Sequence, residues 1–487
     1  MSTQPASLYA ELRAAPESAA GFRENCDPPS EQFLQSIWQH QRLRRDNLLT
    51  ADQERVFILH PGFLNKETGP DFQDAIVQIG NNAPVKGDIE IDLRPGYWHH
   101  HRHEGNPAYA NVVLHVVWTD AGHRRGPEHV PVLALESALD SPAGELAGWL
   151  TQDPPPALPP LVEGKCKAPL SELATGELNA LLNQAAMFRL QARAEQMKVR
   201  AREVGWNQVL WEGLFRALGF KHNAWPMLRL AELRKRWQRP HSSRTVITAR
   251  LLGLSGLLPS DSTQSGSYLK KLWDCWWRER DEFSDVIIPA RSWRLAGIRP
   301  ANHPQRRLAL AAHWIHQLDL PAAIRKWGRE SIQSSRLPAS LLKILTPTSD
   351  DFWDRHYTFR SKRLSKPVPL IGIQRSTDIA ANVVLPWLWA VAREGKRDAV
   401  LNNMEQRYLV WPKTSDNAVL RRARLRLLGN RTIGLSARLA VQQGLHQIVR
   451  DYCNASDSLC QGCRFPEVVR QFQQMRGGET GAASAFS

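Results

Sequence analysis

The spacing of apolar residues changes near the proline-rich stretch 154–160. Before it, apolar residues form short runs, and within 87–93 isoleucine or leucine alternates with aspartate or glutamate. This period of two is typical of a strand with one buried face and one polar face. Similar short runs predict further strands at 56–59, 72–79, 112–118 and 130–135.

Helical spacing begins before the first strand and dominates after the proline-rich stretch. Ser30 is a suitable N-cap for a helix whose apolar face includes Phe33 and Trp38. Residues 178–204 predict one long helix with a basic face, and shorter helices follow at 206–219, 225–238, 244–253, 267–281, 305–318, 336–345, 383–394 and 417–428. We therefore predict an α+β protein, in which an N-terminal mixed α/β sheet domain precedes a large, mainly α-helical domain.

The same pattern divides the chain into six segments. We predict a disordered or frayed N-terminus (1–28), an α/β domain with a metal-dependent catalytic site (29–150), a proline-rich linker (151–168), a basic helical domain (169–450), a cysteine-rich C-terminal metal site (451–475) and a disordered tail (476–487).

Charge is unevenly distributed along the 487 residues. Residues 1–150 carry 12 Lys and Arg against 20 Asp and Glu, whereas the remainder carries 51 against 28. A basic surface of this size attracts polyanions, so we predict nucleic acid as the partner of the helical domain. A solvated surface without a partner explains the same charge. The predicted nucleic-acid contacts are Arg360, Lys362, Arg363, Arg421, Arg422 and Arg424.

Composition also limits the compartment. Six cysteines in 487 residues are too few for a disulfide framework, and the first twenty residues are too polar for a signal peptide. The most apolar stretch, 383–392, contains Pro386 and is shorter than the roughly 20 residues that span a bilayer. We predict a cytoplasmic protein without a membrane partner; the sequence leaves the oligomeric state open.

Acidic residues and histidines border the predicted strands. Asp71 precedes one strand, and Glu90 and Asp92 lie on the polar face of the next. Carboxylate and imidazole side chains are common metal ligands and general acids or bases. The neighbouring histidines are His99, His100, His101, His103 and His115. The block predicts a metal or acid/base site, although His115 in an apolar strand is also typical of a buried structural histidine.

The order of these elements resembles the core of the PD-(D/E)XK nuclease superfamily. A helix with Glu31 is followed by a strand, a strand that begins at Asp71, its hairpin partner with Glu90 and a further strand. The resemblance implies that Asp71 and Glu90 hold a divalent cation, magnesium or manganese, which activates water for phosphodiester hydrolysis. Asp92 stands where that superfamily has lysine, and Lys86 is the upstream candidate for the lysine role.

A closer resemblance is to an uncharacterised bacterial domain family with the pattern GPDF, G-x-(V/I)-E-(I/L)-H, W-x-x-H-G-H and LHVV. The matching segments here are 69–72, 87–92, 98–103 and 114–117. This similarity extends over most of the chain and implies no established activity. The chain departs from the pattern at Asp92, where the family usually has histidine.

We therefore predict a metal-dependent, nuclease-like protein. Asp71 and Glu90 bind the metal, Asp92 or Lys86 tunes the attacking water, and His101, His103 or His115 assists. One alternative is a histidine-based metallohydrolase or cupin-like enzyme for a small molecule, with the histidines and Glu90 as ligands. A second alternative is a non-catalytic scaffold that binds nucleic acid.

Three cysteines near the C-terminus form a second candidate site. Cys453, Cys460 and Cys463 offer three thiolates for a zinc ion or an iron–sulfur cluster. The fourth ligand is left open between His446, Cys166 and Cys26. Three reduced thiols without a metal remain the alternative. We predict a structural role, because so few apolar residues follow the cysteines.

Overall fold

A computed structural model describes residues 9–10, 29–65, 69–101, 103–119, 129–144, 146, 163–220, 222–259, 266–317, 319–347, 349–350, 352–414, 418–429, 437–453, 460 and 463–473. The predicted tail, residues 151–162 of the predicted proline-rich linker and all of the predicted frayed N-terminus except 9–10 lie outside these residues. The α+β class is confirmed, with a mixed sheet near the N-terminus followed by a large helical region.

Two compact units make up the chain. The first comprises Met1–Arg189, Asp416–Ser436 and Val441–Ser487, and the second comprises Leu190–Ser415 and Ala437–Ala440.

The sheet of the first unit is mixed. Its strands are β1 (Val56–His60), β2 (Phe63–Leu64), β3 (Phe72–Ile79), β4 (Val85–Asp92), β5 (Val112–Val117) and β6 (Val132–Ala134). The order across the sheet is β1-β3-β4-β5-β6, with β2 paired to β3. β1, β3 and β4 pair antiparallel, whereas β4, β5 and β6 pair parallel.

Strand β4 is the central strand of this order, and its alternation sets the two faces of the sheet. Ile89 and Ile91 are fully buried, and Glu90 pairs in register with His115 on β5. Partners in register point to the same face, so Glu90 and His115 are neighbours. Gly87 allows β5 to approach, because a Cβ there would lie 2.2 Å from Val113 Cγ1 and 2.6 Å from the carbonyl oxygen of Asn111.

Helix α1 (Glu31–His40) packs against β4. The predicted cap is present, since the Ser30 side chain accepts a hydrogen bond from the backbone N–H of Phe33. The indole N–H of Trp38 donates to the carbonyl oxygen of Pro61 at 2.9 Å, which ties the helix to the turn after β1. A short helix α2 (Tyr97–His100) follows β4.

A separate apolar core in the first unit gathers segments that are distant in sequence. It contains α3 (Lys167–Glu172), the start of α4 (Thr175–Val204), α16 (Ala418–Leu428), the end of α17 (Leu439–Ile448) and a final helix over 465–473. Tyr9 is fully buried in this core, and its hydroxyl lies 2.9 Å from Asp451 Oδ2.

The regular secondary structure in the described part of the second unit is helical. Its helices, besides the end of α4 and the start of α17, are α5 (Trp206–Leu218), α6 (Ala224–Glu232), α7 (Arg234–Trp237), α8 (Arg244–Leu254), α9 (Ser267–Trp277), α10 (Pro304–Gln317), α11 (Leu320–Arg329), α12 (Leu337–Leu345), α13 (Ile373–Ile379), α14 (Leu385–Glu394) and α15 (Asp398–Val410). π-Helical segments lie at Ala380–Val384 in this unit and at Val449–Cys453 in the first. Short 3₁₀ turns lie at Arg45–Asn47, Pro107–Tyr109, Glu136–Ala138, Arg280–Val286, Ala290–Ser292, Pro300–Asn302 and Ser334–Arg336.

Candidate metal centre

Five parts of the chain bring ionisable side chains to one face of the sheet beside β4. Helix α1 contributes Glu31, the residue before β3 is Asp71, and β5 contributes His115. Strand β4 contributes two acids from its polar face, and two histidines come from the segment after α2. These four residues are Glu90, Asp92, His101 and His103. The structure therefore gathers the predicted acids with His101, His103 and His115, whereas His99 pairs with Glu104 and Lys86 lies elsewhere.

Asp71 and Glu90 are adjacent, as the order of elements predicted. The backbone N–H of Asp71 donates to Glu90 Oε2 at 3.3 Å. Asp71 Oδ2 accepts from the backbone N–H of Ile91 at 3.0 Å, and Asp71 Oδ1 accepts from Gln35 Nε2 at 2.8 Å. These contacts hold the Asp71 carboxylate beside the C-terminal end of β4. Gln35 was missed from the sequence, although it lies one helical turn after Glu31 on the same face of α1.

Asp92 lies between two histidines. Its Oδ2 is 3.0 Å from His115 Nε2, and its Oδ1 is 3.3 Å from His101 Nδ1. Asp92 and His115 are fully buried, whereas the His101 side chain is 39% exposed. His115 therefore orients the Asp92 carboxylate from the buried side, whereas His101 lies on the side of the site that solvent reaches.

His103 has a buried nitrogen without a hydrogen-bond partner. Its Nε2 lies 3.1 Å from Glu90 Oε1, but the two atoms do not have hydrogen-bond geometry. The ring stacks on Tyr109 with centroids 3.9 Å apart, and Trp98 contacts it edge-on. Stacking holds the imidazole in place while Nε2 stays available for another ligand. Trp98 belongs to the family-like pattern, but neither its packing role nor that of Tyr109 could be predicted from the sequence.

Asp92, His101 and His103 each offer a ligand atom, and these atoms all lie within 4.8 Å of one another. Among the described residues, this is the group whose spacing suits a metal ion. Imidazole nitrogen with carboxylate oxygen is a donor set that divalent metals accept. The unpartnered Nε2 of His103 fits the same interpretation, since a ligand nitrogen needs no hydrogen-bond acceptor.

The acids raise one another's pKa values. Burial, and then the negative charges of Asp71 and Asp92, raise the pKa of Glu90 to about 9. Burial and the charge of Glu31 raise the pKa of Asp71 to about 7. Burial, and then the negative charge of Asp92, also raise the pKa of Glu31. Several carboxylates thus share a space in which negative charge is poorly compensated.

The aromatic and imidazole groups respond to the same surroundings. Burial, and then the charge of Glu90, raise the pKa of Tyr109 to about 12. Burial lowers the pKa of His103, which favours the neutral imidazole that a metal ion requires.

Lys86 does not join this group. Its Nζ lies 2.6 Å from Asp74 Oδ1, and both side chains are exposed. Lys86 lies four positions before Glu90 on β4, which at about 3.3 Å per residue places them roughly 13 Å apart along the strand. The lysine role of the PD-(D/E)XK pattern therefore has no counterpart at Lys86.

Hydrogen bonds around the turns before β3 build the frame of the site. Asn65 Nδ2 donates to the carbonyl oxygen of Pro70 at 3.0 Å, and the backbone N–H of Asn65 donates to the carbonyl oxygen of Asp71 at 2.7 Å. His60 Nδ1 accepts from the backbone N–H of Gly62 at 3.0 Å. These contacts fix the turn that delivers Asp71 to the sheet.

The other predicted sites have different surroundings. Arg360, Lys362 and Arg363 are exposed in a segment without regular structure in the second unit. Nearby aromatic rings pack on one another: Phe359 contacts Trp353 with centroids 5.0 Å apart. On α16 in the first unit, Arg421 and Arg422 are exposed and Arg424 is half-buried. Cys453, Cys460 and Cys463 line one cavity together with Cys166.

These features define an α+β protein with an acid–imidazole cluster on a mixed sheet. The chain belongs to the family described as protein of unknown function (DUF2851), whose model matches residues 31–415. The expected membership of an uncharacterised domain family is thereby confirmed. The matched span contains the whole acid–imidazole cluster and ends before Cys453. None of the curated proteins and none of the solved structures matches the chain. Within the described residues, no helix is both long and apolar enough to cross a membrane.

Proposed function

We propose that the protein is a divalent-metal-dependent hydrolase that cleaves phosphodiester bonds of nucleic acid. The observation that carries the proposal is the convergence of Asp92, His101 and His103 beside the acidic pair Asp71 and Glu90. Phosphodiester hydrolysis requires a Lewis acid, a polarised water and groups that accept protons. The cluster offers candidates for each requirement.

Asp92, His101 and His103 would hold the ion. When bound, the ion supplies Lewis acidity, which polarises water and neutralises charge on the phosphate. Two imidazoles in the set favour manganese or another transition metal over magnesium, since magnesium prefers oxygen ligands. The nuclease resemblance implies a different ligand pair at the same site, in which Asp71 and Glu90 hold magnesium or manganese.

The surrounding residues orient and exchange protons. His115 positions Asp92 through the 3.0 Å contact between Nε2 and Oδ2. Glu90 lies 3.1 Å from His103 and accepts a hydrogen bond from the backbone N–H of Asp71. A bound cation would lower its raised pKa, so that its carboxylate would accept a proton from water. Trp98 and Tyr109 pack around His103 and exclude water from that side of the site.

Nucleic acid as substrate is supported by topology and charge. The helix, the three antiparallel strands and the parallel β5 follow the order that resembles the PD-(D/E)XK core. Exposed arginine and lysine side chains offer phosphate contacts. They are Arg360, Lys362 and Arg363 in the second unit and Arg421 and Arg422 in the first, with Arg424 half-buried.

A second candidate function is a histidine-based metallohydrolase for a small molecule. The specific observation in its favour is the Asp92–His101–His103 group, whose nitrogen-rich donor set is typical of firmly bound transition metals. This candidate uses the same ligands and requires no nucleic acid. A third possibility is a scaffold that binds nucleic acid without cleaving it, and the experiment must distinguish it from the two enzymes.

The test combines metal binding with substrate assays. Chelator-treated protein is titrated calorimetrically with MnCl₂, ZnCl₂ and MgCl₂, and then assayed on single- and double-stranded DNA, RNA and small phosphodiesters and esters. The site variants are His103→Ala and the isosteric Asp92→Asn. The matched control is His99→Ala, because His99 is an exposed neighbour paired with Glu104.

We expect metal-dependent cleavage of DNA or RNA that both site variants lose by at least about 100-fold, since even outer-shell partners of a metal cost 10–100-fold. His99→Ala should keep the native rate. Turnover of small esters alone would support the second candidate and reject nucleic acid as substrate. Salt-sensitive nucleic-acid binding without turnover would identify the scaffold, and absence of metal binding would reject both enzymes.

A further inference from the structure

Four cysteine side chains from two segments that are distant in sequence line one small cavity in the first unit. Cys166 immediately precedes α3, Cys453 ends the π-helical segment after α17, and Cys460 and Cys463 precede the final helix. All four cysteines are free thiols. They line the same cavity, although no three of their sulfur atoms stand at the spacing of the Asp92–His101–His103 group, so a bound ion would draw them together.

A buried arginine faces the same thiols. Arg426, on α16, is 6% exposed, and its Nη2 lies 3.2 Å from Cys460 Sγ. Its Nε is buried and has no hydrogen-bond partner. A buried guanidinium requires negative charge nearby, and neutral thiols do not provide it. Thiolates around a metal do, because four thiolates outweigh the charge of a divalent ion.

Cys166 is the candidate for the fourth ligand, because it lines the same cavity as the other three thiols. Among the described residues that line the cavity, His446 is absent, and Cys26 lies outside the described residues. The backbone also holds Cys166 there, since the N–H of Gly164 donates to the carbonyl oxygen of Arg426 at 2.8 Å. The side chain of Cys166 is buried, as a structural ligand should be.

We propose that Cys166, Cys453, Cys460 and Cys463 together bind one metal centre through four thiolates, with Arg426 as its charge partner. Four cysteines ligate structural zinc, and a close trio with one remote cysteine also ligates iron–sulfur clusters. Both centres share the same thiolate chemistry. The centre is independent of the proposed hydrolytic site, from which it differs in ligand type and in position along the chain.

The centre closes the core that contains the final helix. Phe465 and Phe472 on that helix are buried with α3 and α16, and Cys463 packs against the same core. A metal that joins Cys166 to the C-terminal cysteines ties residues almost 300 positions apart. Binding energy of this kind contributes directly to folding.

The experiment uses the full-length native protein, purified anaerobically without chelator. Zinc, iron and acid-labile sulfide are measured, and X-ray absorption at the metal edge counts the sulfur ligands. Cys166→Ser is compared with Cys275→Ser, a matched control because Cys275 lies in the second unit, outside the cavity.

We expect stoichiometric zinc, or iron with sulfide, in an all-sulfur environment. Cys166→Ser should lose most of this metal and melt at a lower temperature, whereas Cys275→Ser keeps both properties. Zinc without sulfide and iron with sulfide identify the two forms of the centre. Native protein with neither metal, or with one nitrogen ligand among three sulfurs, would overturn the proposal. The native measurements decide it even if Cys166→Ser does not fold.

Discussion

The acid–imidazole cluster of the first unit and the buried arginines of the second both place ionisable groups inside protein. In the second unit Arg306, Arg250 and Arg407 are met by acceptors. Arg306 is 1% exposed, and its Nε donates to the carbonyl oxygen of Trp353 at 3.1 Å. Its Nη2 donates to the carbonyl oxygens of Val368 and Pro369. Buried polar groups with such partners fix the loops that carry the acceptors.

Two further residues of the second unit follow the same principle. Arg250 binds Glu279 through two hydrogen bonds of 2.6 and 2.7 Å. Arg407 donates to the carbonyl oxygen of Trp327 at 3.0 Å and to that of Glu330. Opposite charge or a carbonyl dipole is therefore present wherever these guanidinium groups are buried.

The acid–imidazole cluster lacks this balance. Its carboxylates lie close to one another, the pKa values of Asp71 and Glu90 are raised, and His103 Nε2 has no hydrogen-bond partner. Groups that stabilise a fold are normally satisfied within it, whereas groups that await a ligand are not. The comparison assigns a structural role to the arginines and supports a binding role for the cluster.

Replacing Arg306 with methionine tests the structural half of this comparison. The substitution keeps the apolar volume but leaves the carbonyl oxygens of Trp353, Val368 and Pro369 without their donor. We expect the free energy of unfolding to fall by at least about 3 kcal/mol, measured by urea denaturation. The exposed Arg336→Met should change it by less than about 0.5 kcal/mol. Equal losses in both variants would contradict the structural role.

The pH dependence of stability tests a buried acid of the second unit. Burial alone would raise the pKa of Asp350, but hydrogen bonds from His313 and from the backbone N–H of Trp353 outweigh it, so the pKa is lowered. A lowered pKa stabilises the fold above the unfolded value of about 3.9 and loses this contribution as pH falls through the folded value.

Asp350→Asn should therefore lower the free energy of unfolding by about 1.5–3 kcal/mol at pH 7. The difference from native should shrink below pH of about 4. Urea midpoints measured from pH 7 to pH 3 give both values, with the exposed Asp281→Asn as the control. A deficit that stays constant over this range would show that the charge of Asp350 is not the source.

The smallest effect on stability is expected at Glu90. Gln at this position keeps an oxygen for the backbone N–H of Asp71 and has the shape of the protonated carboxyl that a pKa of about 9 gives Glu90 at neutral pH. We expect the free energy of unfolding in EDTA to stay within about 1 kcal/mol of native or to rise, whereas metal binding weakens. A loss as large as that of Arg306→Met would break the comparison, because Glu90 would then be a structural residue.

The sequence determined the elements and the pairing of the two central acids. Alternation within 87–93 specified β4, Ser30 specified the start of α1, and the order of elements predicted that Asp71 and Glu90 meet. These features depend on local periodicity and on the strong tendency of consecutive strands to pair, both of which are written in adjacent residues.

Only the tertiary structure decided which other side chains join them. His101 and His103 follow a short helix, and their directions depend on packing against Tyr109 and Trp98 rather than on a local pattern. Lys86 was excluded because its position on β4 places it beside Asp74. Cys166 met the C-terminal cysteines because burial of apolar helices brings together segments almost 300 residues apart, a consequence of core packing that no short-range pattern encodes.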